Sequence, residues 1–146
     1  MICPYLRYMY WTAYGIIERA EMDGATRNTI ASLVDVNGDR YLPKGLALDV
    51  YTNRIYFATT SRVLYIDLDN SPGNVQELFY SQPDVRSPGA VALDDQFVYW
   101  SEFLVGKVYR INKTRWDGNL EEVVVNLIGP KGIEVKKGIP TRNRKY

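Results

Sequence analysis

The chain has 146 residues, 46% of them apolar and 13% aromatic, with 18 Lys and Arg against 17 Asp and Glu. A globular chain of this length buries roughly 68–70% of its unfolded surface, enough for one core. The net charge of +1 lacks the basic excess that nucleic-acid binding draws on, and no apolar run approaches the roughly 20 residues that span a bilayer, so neither partner is expected. Histidine is absent, which removes the usual general base at neutral pH and the usual nitrogen metal ligand. Cys3 is the single cysteine, so neither an internal disulfide nor a thiolate zinc site can form. No catalytic residue, metal or cofactor is assigned. Met1 to Trp11 carry Pro4, Arg7 and three tyrosines and hold no apolar signal-peptide core, so a signal for export would lie outside this sequence.

Twelve of the nineteen aromatics are Tyr, placed beside β-branched residues and not at helical spacing, which predicts strands. In chain order the first is a strand over Arg7 to Thr12, followed by two more joined by a hairpin at Asp23-Gly24. Pro43-Lys44-Gly45 then turns the chain into a strand at Leu46 to Val50, and Tyr51-Thr52-Asn53 turns it into Arg54 to Ala58. Val63 to Leu68 alternates less cleanly. The Asn70 to Asn74 cluster leads to Gln76 to Tyr80, and a second hairpin is expected at Asp117-Gly118.

Two markers recur in step. Tyr10-Trp11-Thr12, Tyr56-Phe57-Ala58 and Tyr99-Trp100-Ser101 start 46 and then 43 residues apart. Leu42-Pro43-Lys44-Gly45-Leu46-Ala47-Leu48-Asp49, Ser87-Pro88-Gly89-Ala90-Val91-Ala92-Leu93-Asp94 and Gly129-Pro130-Lys131-Gly132-Ile133-Glu134-Val135 have prolines 45 and 42 apart. A period near 40–45 residues holding several short strands is the signature of a four-stranded propeller blade. With the strands of a blade lettered A to D from the inside outward, the chain opens on a B strand and closes on a fresh A strand. Residues 1–135 are thus an incomplete propeller of twelve strands, out of phase with the blade boundaries: 7–33, 45–80, 89–125 and a final A strand at 132–135. Residues 136–146, with Lys136, Lys137, Arg142, Arg144 and Lys145, form a basic tail. Three blades cannot close a ring, which takes four to eight. The remaining blades come from a larger chain or from a second copy, whose first blade the final A strand would complete.

Met9-Tyr10-Trp11-Thr12, Ile17-Glu18-Arg19-Ala20-Glu21-Met22-Asp23-Gly24, the Leu42 to Asp49 run and Val108-Tyr109-Arg110-Ile111-Asn112-Lys113 resemble the YWTD (class B) repeats of low-density-lipoprotein-receptor-type propellers. The resemblance covers about residues 7 to 135. It implies an all-β, six-bladed propeller in extracellular receptors and matrix proteins, a protein-binding platform and not an enzyme. The acid that ends the family tetrapeptide is replaced by Ala13 and Thr59 and kept only as Glu102, which puts its bracing role in doubt in two repeats.

The repeated Tyr10, Trp11, Thr12, Tyr56, Phe57, Tyr99, Trp100 and Glu102 are read as structural, their aromatic rings packing between sheets. Binding falls to loops. In a propeller the D–A and B–C connections share one face, which the resemblance implies is the ligand face. It carries Tyr14, Arg40, Tyr41, Lys44, Arg62, Arg86, Phe103 and Lys131, the aromatic-plus-cation composition of interface hot spots. Asn112-Lys113-Thr114 is an N-glycosylation sequon at the end of a C strand, on the opposite face. Asp35-Val36-Asn37-Gly38-Asp39 starts like a calcium loop but continues with Arg40 where glycine is required, and is read as a polar turn. Asp94 and Asp95 are expected on opposite faces of a strand.

The leading function is a receptor ectodomain segment, lipoprotein-receptor-related or Wnt-coreceptor-like, acting in endocytosis or Wnt signalling. Alternatives are a nidogen-like basement-membrane propeller and a propeller hydrolase, which would need a metal-holding acid cluster. Without histidine, binding is expected to change little between neutral and mildly acidic pH.

Overall fold

A computed structural model describes residues 8–34, 37–38, 40–69, 74–80, 88–114 and 120–136. Arg7, Arg86, Asp117-Gly118, most of the Asn70 cluster, Asp35, Val36, Asp39 and the tail after Lys136 lie outside the described residues. Three antiparallel sheets are present, with no helix among the described residues. The first holds β1 (Tyr8–Ala13), β2 (Ile16–Glu21) and β3 (Asn28–Ser32). The second holds β4 (Gly45–Asp49), β5 (Arg54–Ala58), β6 (Arg62–Asp67) and β7 (Gln76–Tyr80), and the third β8 (Pro88–Leu93), β9 (Phe97–Glu102), β10 (Lys107–Asn112) and β11 (Glu121–Val124). Each sheet runs in chain order, as hairpin-connected propeller blades do.

The turns follow from local chemistry. Tyr14 and Gly15 both have positive φ (47° and 81°), the two-residue turn whose twist suits a tight hairpin. At Asp23-Gly24 the Gly24 amide donates to the Glu21 carbonyl at 2.8 Å. Asp49 and Asp94, at equivalent places in the repeat, each accept two backbone N–H bonds from the A–B turn that follows.

One expectation fails. Gly132 to Val135 carries no ladder, so eleven strands stand among the described residues where twelve were expected. An A strand is held by the B strand of its own blade, and no B strand flanks this segment among the described residues. β1, the B strand whose inner edge is unpaired, belongs to the first blade.

Alternation along β5 splits the core in two. Ile55 and Phe57, with Leu64 and Ile66, pack towards the first blade against Ile17, Ala31 and Leu33. Tyr56 and Ala58, with Val63 and Tyr65, pack towards the third against Val91, Val98, Trp100, Tyr109 and Ile111. This explains the poor alternation of β6: Val63 to Ile66 are all buried because the middle blade is covered on both faces.

Blades approach most closely at their inner strands, where β4 and β5 contact β8. Gly45 suits that crowding, since a Cβ there would sit 3.0 Å from the Ala90 Cα. Each blade also has a register shift at the second residue of its C strand, after Ile17, Val63 and Val108. Such bulges sharpen the local twist. Gly106 is the most constrained turn position. Its φ is +63°, and a Cβ would lie 2.0 Å from the Leu127 carbonyl oxygen. Gly106→Ala is therefore expected to cost at least about 2 kcal/mol, combining left-handed strain with a backbone clash; urea unfolding within about 0.5 kcal/mol of the parent would refute this assignment.

Candidate ligand face and interblade groove

The B–C turns and the D–A segments lie side by side on one face. The Leu33 amide donates to Gly15 at 2.7 Å, and the Leu127 amide to Gly106 at 2.8 Å. On this framework cations meet aromatic rings once per blade. Arg40 lies 5.9 Å from the Tyr14 ring centre and donates to its carbonyl at 3.3 Å. Arg62 lies 6.0 Å from the Tyr41 ring, and Lys131 5.9 Å from that of Phe103. Each pair spans a B–C turn and a D–A segment, so six of the eight proposed face residues are brought together in twos. Arg62 also pairs with Glu77. The charge of Lys44 acts on the buried Glu102. Arg86 is outside the described residues.

Tyr14 stands out on this face. The residue is 83% exposed, while its backbone sits in the left-handed region at φ 47°. Glycine would occupy that position without strain, and strain retained under an exposed aromatic is a pointer to function.

The motif residues divide by environment. Phe57 and Trp100 are fully buried, Trp100 between Phe79 and Tyr109. Trp11 is only half-buried, on the face of the first blade turned away from the second, where no sheet covers it among the described residues. Tyr10 and Thr12 are also half-buried, with Tyr10 packed on the first core, while the Tyr99 hydroxyl donates to Asp94 at 2.7 Å.

The doubt over the missing acids has a physical resolution. A tryptophan N–H needs an acceptor. In the third blade the Trp100 Nε1 donates to Glu102 at 3.1 Å. In the first, where Ala13 replaces the acid, Trp11 Nε1 donates at 3.0 Å to Glu18, its cross-strand partner on β2. Arg27 pairs with the same carboxylate at 2.7 Å and, with Trp11, holds it below the usual range despite its burial. Phe57 has no N–H to satisfy, and Thr59 instead closes the B–C turn by donating its amide to the Arg62 carbonyl at 2.8 Å.

Glu102 is a different case. Its side chain is fully buried, Oε2 has no partner, and burial pushes the carboxyl up to about 7, the Trp100 bond and the charge of Lys44 offsetting only part of the shift. The absence of histidine therefore does not leave the segment without a group that titrates near neutral pH, and that group adjoins Phe103 on the candidate face.

The opposite face holds a groove of about 390 Å³ between the second and third blades, lined by Asp49, Tyr51, Thr52, Arg54 and Tyr56 of the second and by Asp95, Lys113 and Thr114 of the third. Asp49 Oδ2 accepts from Lys113 Nζ at 2.6 Å, an ion pair buried on both sides and joining the two blades. Burial alone would raise the Asp49 carboxyl, but the bond and charge of Lys113 and the Thr52 contacts outweigh it and hold the group below its ordinary range. This pair was missed in the sequence, where its signal was the aspartate ending each Leu-Ala-Leu-Asp-type run. The opposite-face reading of Asp94 and Asp95 is also corrected: β8 stops at Leu93, so both lie in the turn and both line the adjoining part of the groove. Asn112 ends β10 on this side, with its Oδ1 accepting from the Thr114 amide and hydroxyl at 2.9 and 2.8 Å.

No known family model matches the chain. It is 26% identical over 135 residues to protein cueball of Aedes aegypti, covering 91% of this chain and 20% of that protein. It is 27% identical over 126 residues to the vitellogenin receptor Yl of Drosophila melanogaster, covering 77% of this chain and 5% of the receptor. The chain thus spans a fifth or less of these relatives. Among solved structures, it superposes on a chain of a nidogen/laminin complex with a TM-score of 0.66 at 22% identity, covering 90% of this chain and 48% of that one. On virginiamycin B lyase from Staphylococcus aureus the TM-score is 0.63 at 20% identity, covering 87% and 41%. At these identities the two structures speak to the fold alone.

Proposed function

From a chain that is a β-propeller of the YWTD, low-density-lipoprotein-receptor type, we propose a non-enzymatic, extracellular protein-binding platform whose ligand sits on the B–C and D–A face. Tyr14 carries this reading, an 83% exposed aromatic kept in a strained turn beside Arg40. Aromatic rings with adjacent cations suit an acidic, partly apolar ligand segment. The similarity to a vitellogenin receptor favours a receptor ectodomain over the second reading, a nidogen-like matrix propeller, and to that ectodomain we assign ligand capture with endocytosis, or Wnt signalling, as the proposed role. Further blades, from the rest of a longer chain or a second copy, cover the outer faces of the first and third blades.

A photo-crosslinking side chain placed at Tyr14, against one placed at Met22 in a C–D turn on the other face, tests the proposal in extracellular fluid. Adducts with protein should form at Tyr14 and be scarce at Met22; equal yields would count against this face. Tyr14→Gly should at the same time raise stability by about 1 kcal/mol, since glycine carries no left-handed penalty. Turnover in a lyase or lactonase screen would replace the non-enzymatic reading.

A further inference from the structure

The groove on the opposite face has no part in that reading, yet it is built as a site. Its charged walls are already matched within the chain: Asp49 with Lys113 at 2.6 Å, and Arg54 with Asp67 at 2.6 Å, while Asp95 also has an intramolecular interaction. A charged ligand would leave one of these matched groups in excess, so the internal pairing selects for a neutral one.

Among the described residues, two groups of the lining keep hydrogen-bonding capacity. The Tyr56 hydroxyl, on a side chain only 1% exposed, has no partner within hydrogen-bonding distance and angle, although the Arg54 guanidinium stands near enough to pull against the upward push of burial on its pKa. Burial raises the phenol's pKa, so at neutral pH it keeps its proton and can both donate and accept. The Lys113 ammonium spends one of three donors on Asp49. A purely apolar occupant would strand the phenol and the ammonium, at a desolvation cost. At the rim Tyr51, 83% exposed, offers a ring face on which the C–H side of a saturated ring can rest. The volume, about 390 Å³, falls in the range of small-ligand sites.

We propose that this interblade groove binds a neutral saccharide unit, its ring resting against Tyr51 and its hydroxyl groups exchanging hydrogen bonds with Tyr56 and Lys113. The two tyrosines fall on the A–B side of the second blade and the lysine at the end of the third blade's C strand, so the site exists only where two blades meet.

Ligand-observed NMR on the whole chain with the methyl glycosides of glucose, galactose, mannose and N-acetylglucosamine provides the test. At least one should bind saturably with a dissociation constant below about 10 mM. Tyr56→Phe, which removes only the hydroxyl, should weaken that probe about fivefold or more, and Tyr51→Ala about as much, with Tyr14→Ala on the other face without effect. Melting curves of Tyr56→Phe matching the parent would show that the loss is local. No saturable binding by any of the four, unchanged affinity in Tyr56→Phe, or tighter binding of acetate or methylamine than of every glycoside would each overturn the proposal.

Discussion

Lowering the pH from about 8 to about 5 is expected to stabilise the chain against urea by up to about 3 kcal/mol through Glu102 alone. Burial raises the native carboxyl to about 7, while in the unfolded chain it titrates near 4.5. Below the unfolded value both states carry the proton and the stabilisation is complete. Between the two values the native state holds a proton that the unfolded state has released, and the stabilisation is lost as the pH rises through about 7. Glu18, Asp49 and Asp94 act with the opposite sign, because their native values are lowered. What they contribute is intact at neutral pH and is lost only as the pH falls through and below the ordinary carboxylate range, which leaves the window from 4.5 to 7 to Glu102. Glu102→Gln keeps an oxygen for the Trp100 N–H and removes the titration. It should exceed the parent in stability at about pH 8, match it at about pH 5, and show a flat profile between. A parent whose urea midpoint does not move over that range, or a variant with the parent's slope, would rule this out. Because Phe103 follows Glu102 directly, any ligand binding at the proposed face is expected to share the same midpoint, in place of the pH-independence that the lack of histidine suggested.

Removing Asp49 should cost about 3–5 kcal/mol, since it leaves the Lys113 ammonium buried without its counter-charge. The lysine side chain is 9% exposed and the aspartate 4%, and the two belong to different blades, 64 residues apart. Asp49 also caps its own turn through the Tyr51 and Thr52 amides, so Asp49→Ala removes a turn cap along with a charge. The cycle of Asp49→Ala, Lys113→Met and the double variant separates these parts. The double variant should recover much of the loss, with a coupling of at least about 1.5 kcal/mol, because it abolishes the stranded charge while the cap stays absent. Simple addition of the two single effects in urea unfolding would show that the pair does not tie the blades together.

Much of the architecture was legible from neighbouring residues. Asp23-Gly24 marked a hairpin because that dipeptide adopts tight turns at little cost, and Arg54 to Ala58 and Gln76 to Tyr80 were bounded by turn-forming residues that left little freedom at either end. Gly132 to Val135 read as a strand for the same reason, having the right turn before it and alternating apolar residues. It remains unpaired because a strand also needs a partner of suitable register, which its own sequence does not supply. The candidate ligand face was partly legible: the repeat placed Tyr14, Arg40, Tyr41, Arg62, Phe103 and Lys131 in B–C and D–A connections. Their joining into cation–aromatic pairs was not, because each pair links segments separated by at least one strand. Nor did the tetrapeptide reveal that Glu18 replaces the missing acid, since that depends on the β1–β2 register setting Trp11 opposite it.

Sequence alone determined the blade: its period, its strands, its turns and the aromatic positions that fill it. These depend on side-chain alternation and turn chemistry within a few residues, and three tandem copies repeat the signal. Tertiary structure decided everything that arises between blades. It turned Ile55 and Tyr56 to different cores, raised Glu102 by enclosing it, joined Asp49 to Lys113 and opened the groove beside them. The physical reason is that burial and ion pairing depend on which surfaces meet, and surfaces that meet across blades come from residues on different repeats, 64 positions apart for Asp49 and Lys113, beyond the reach of any local pattern.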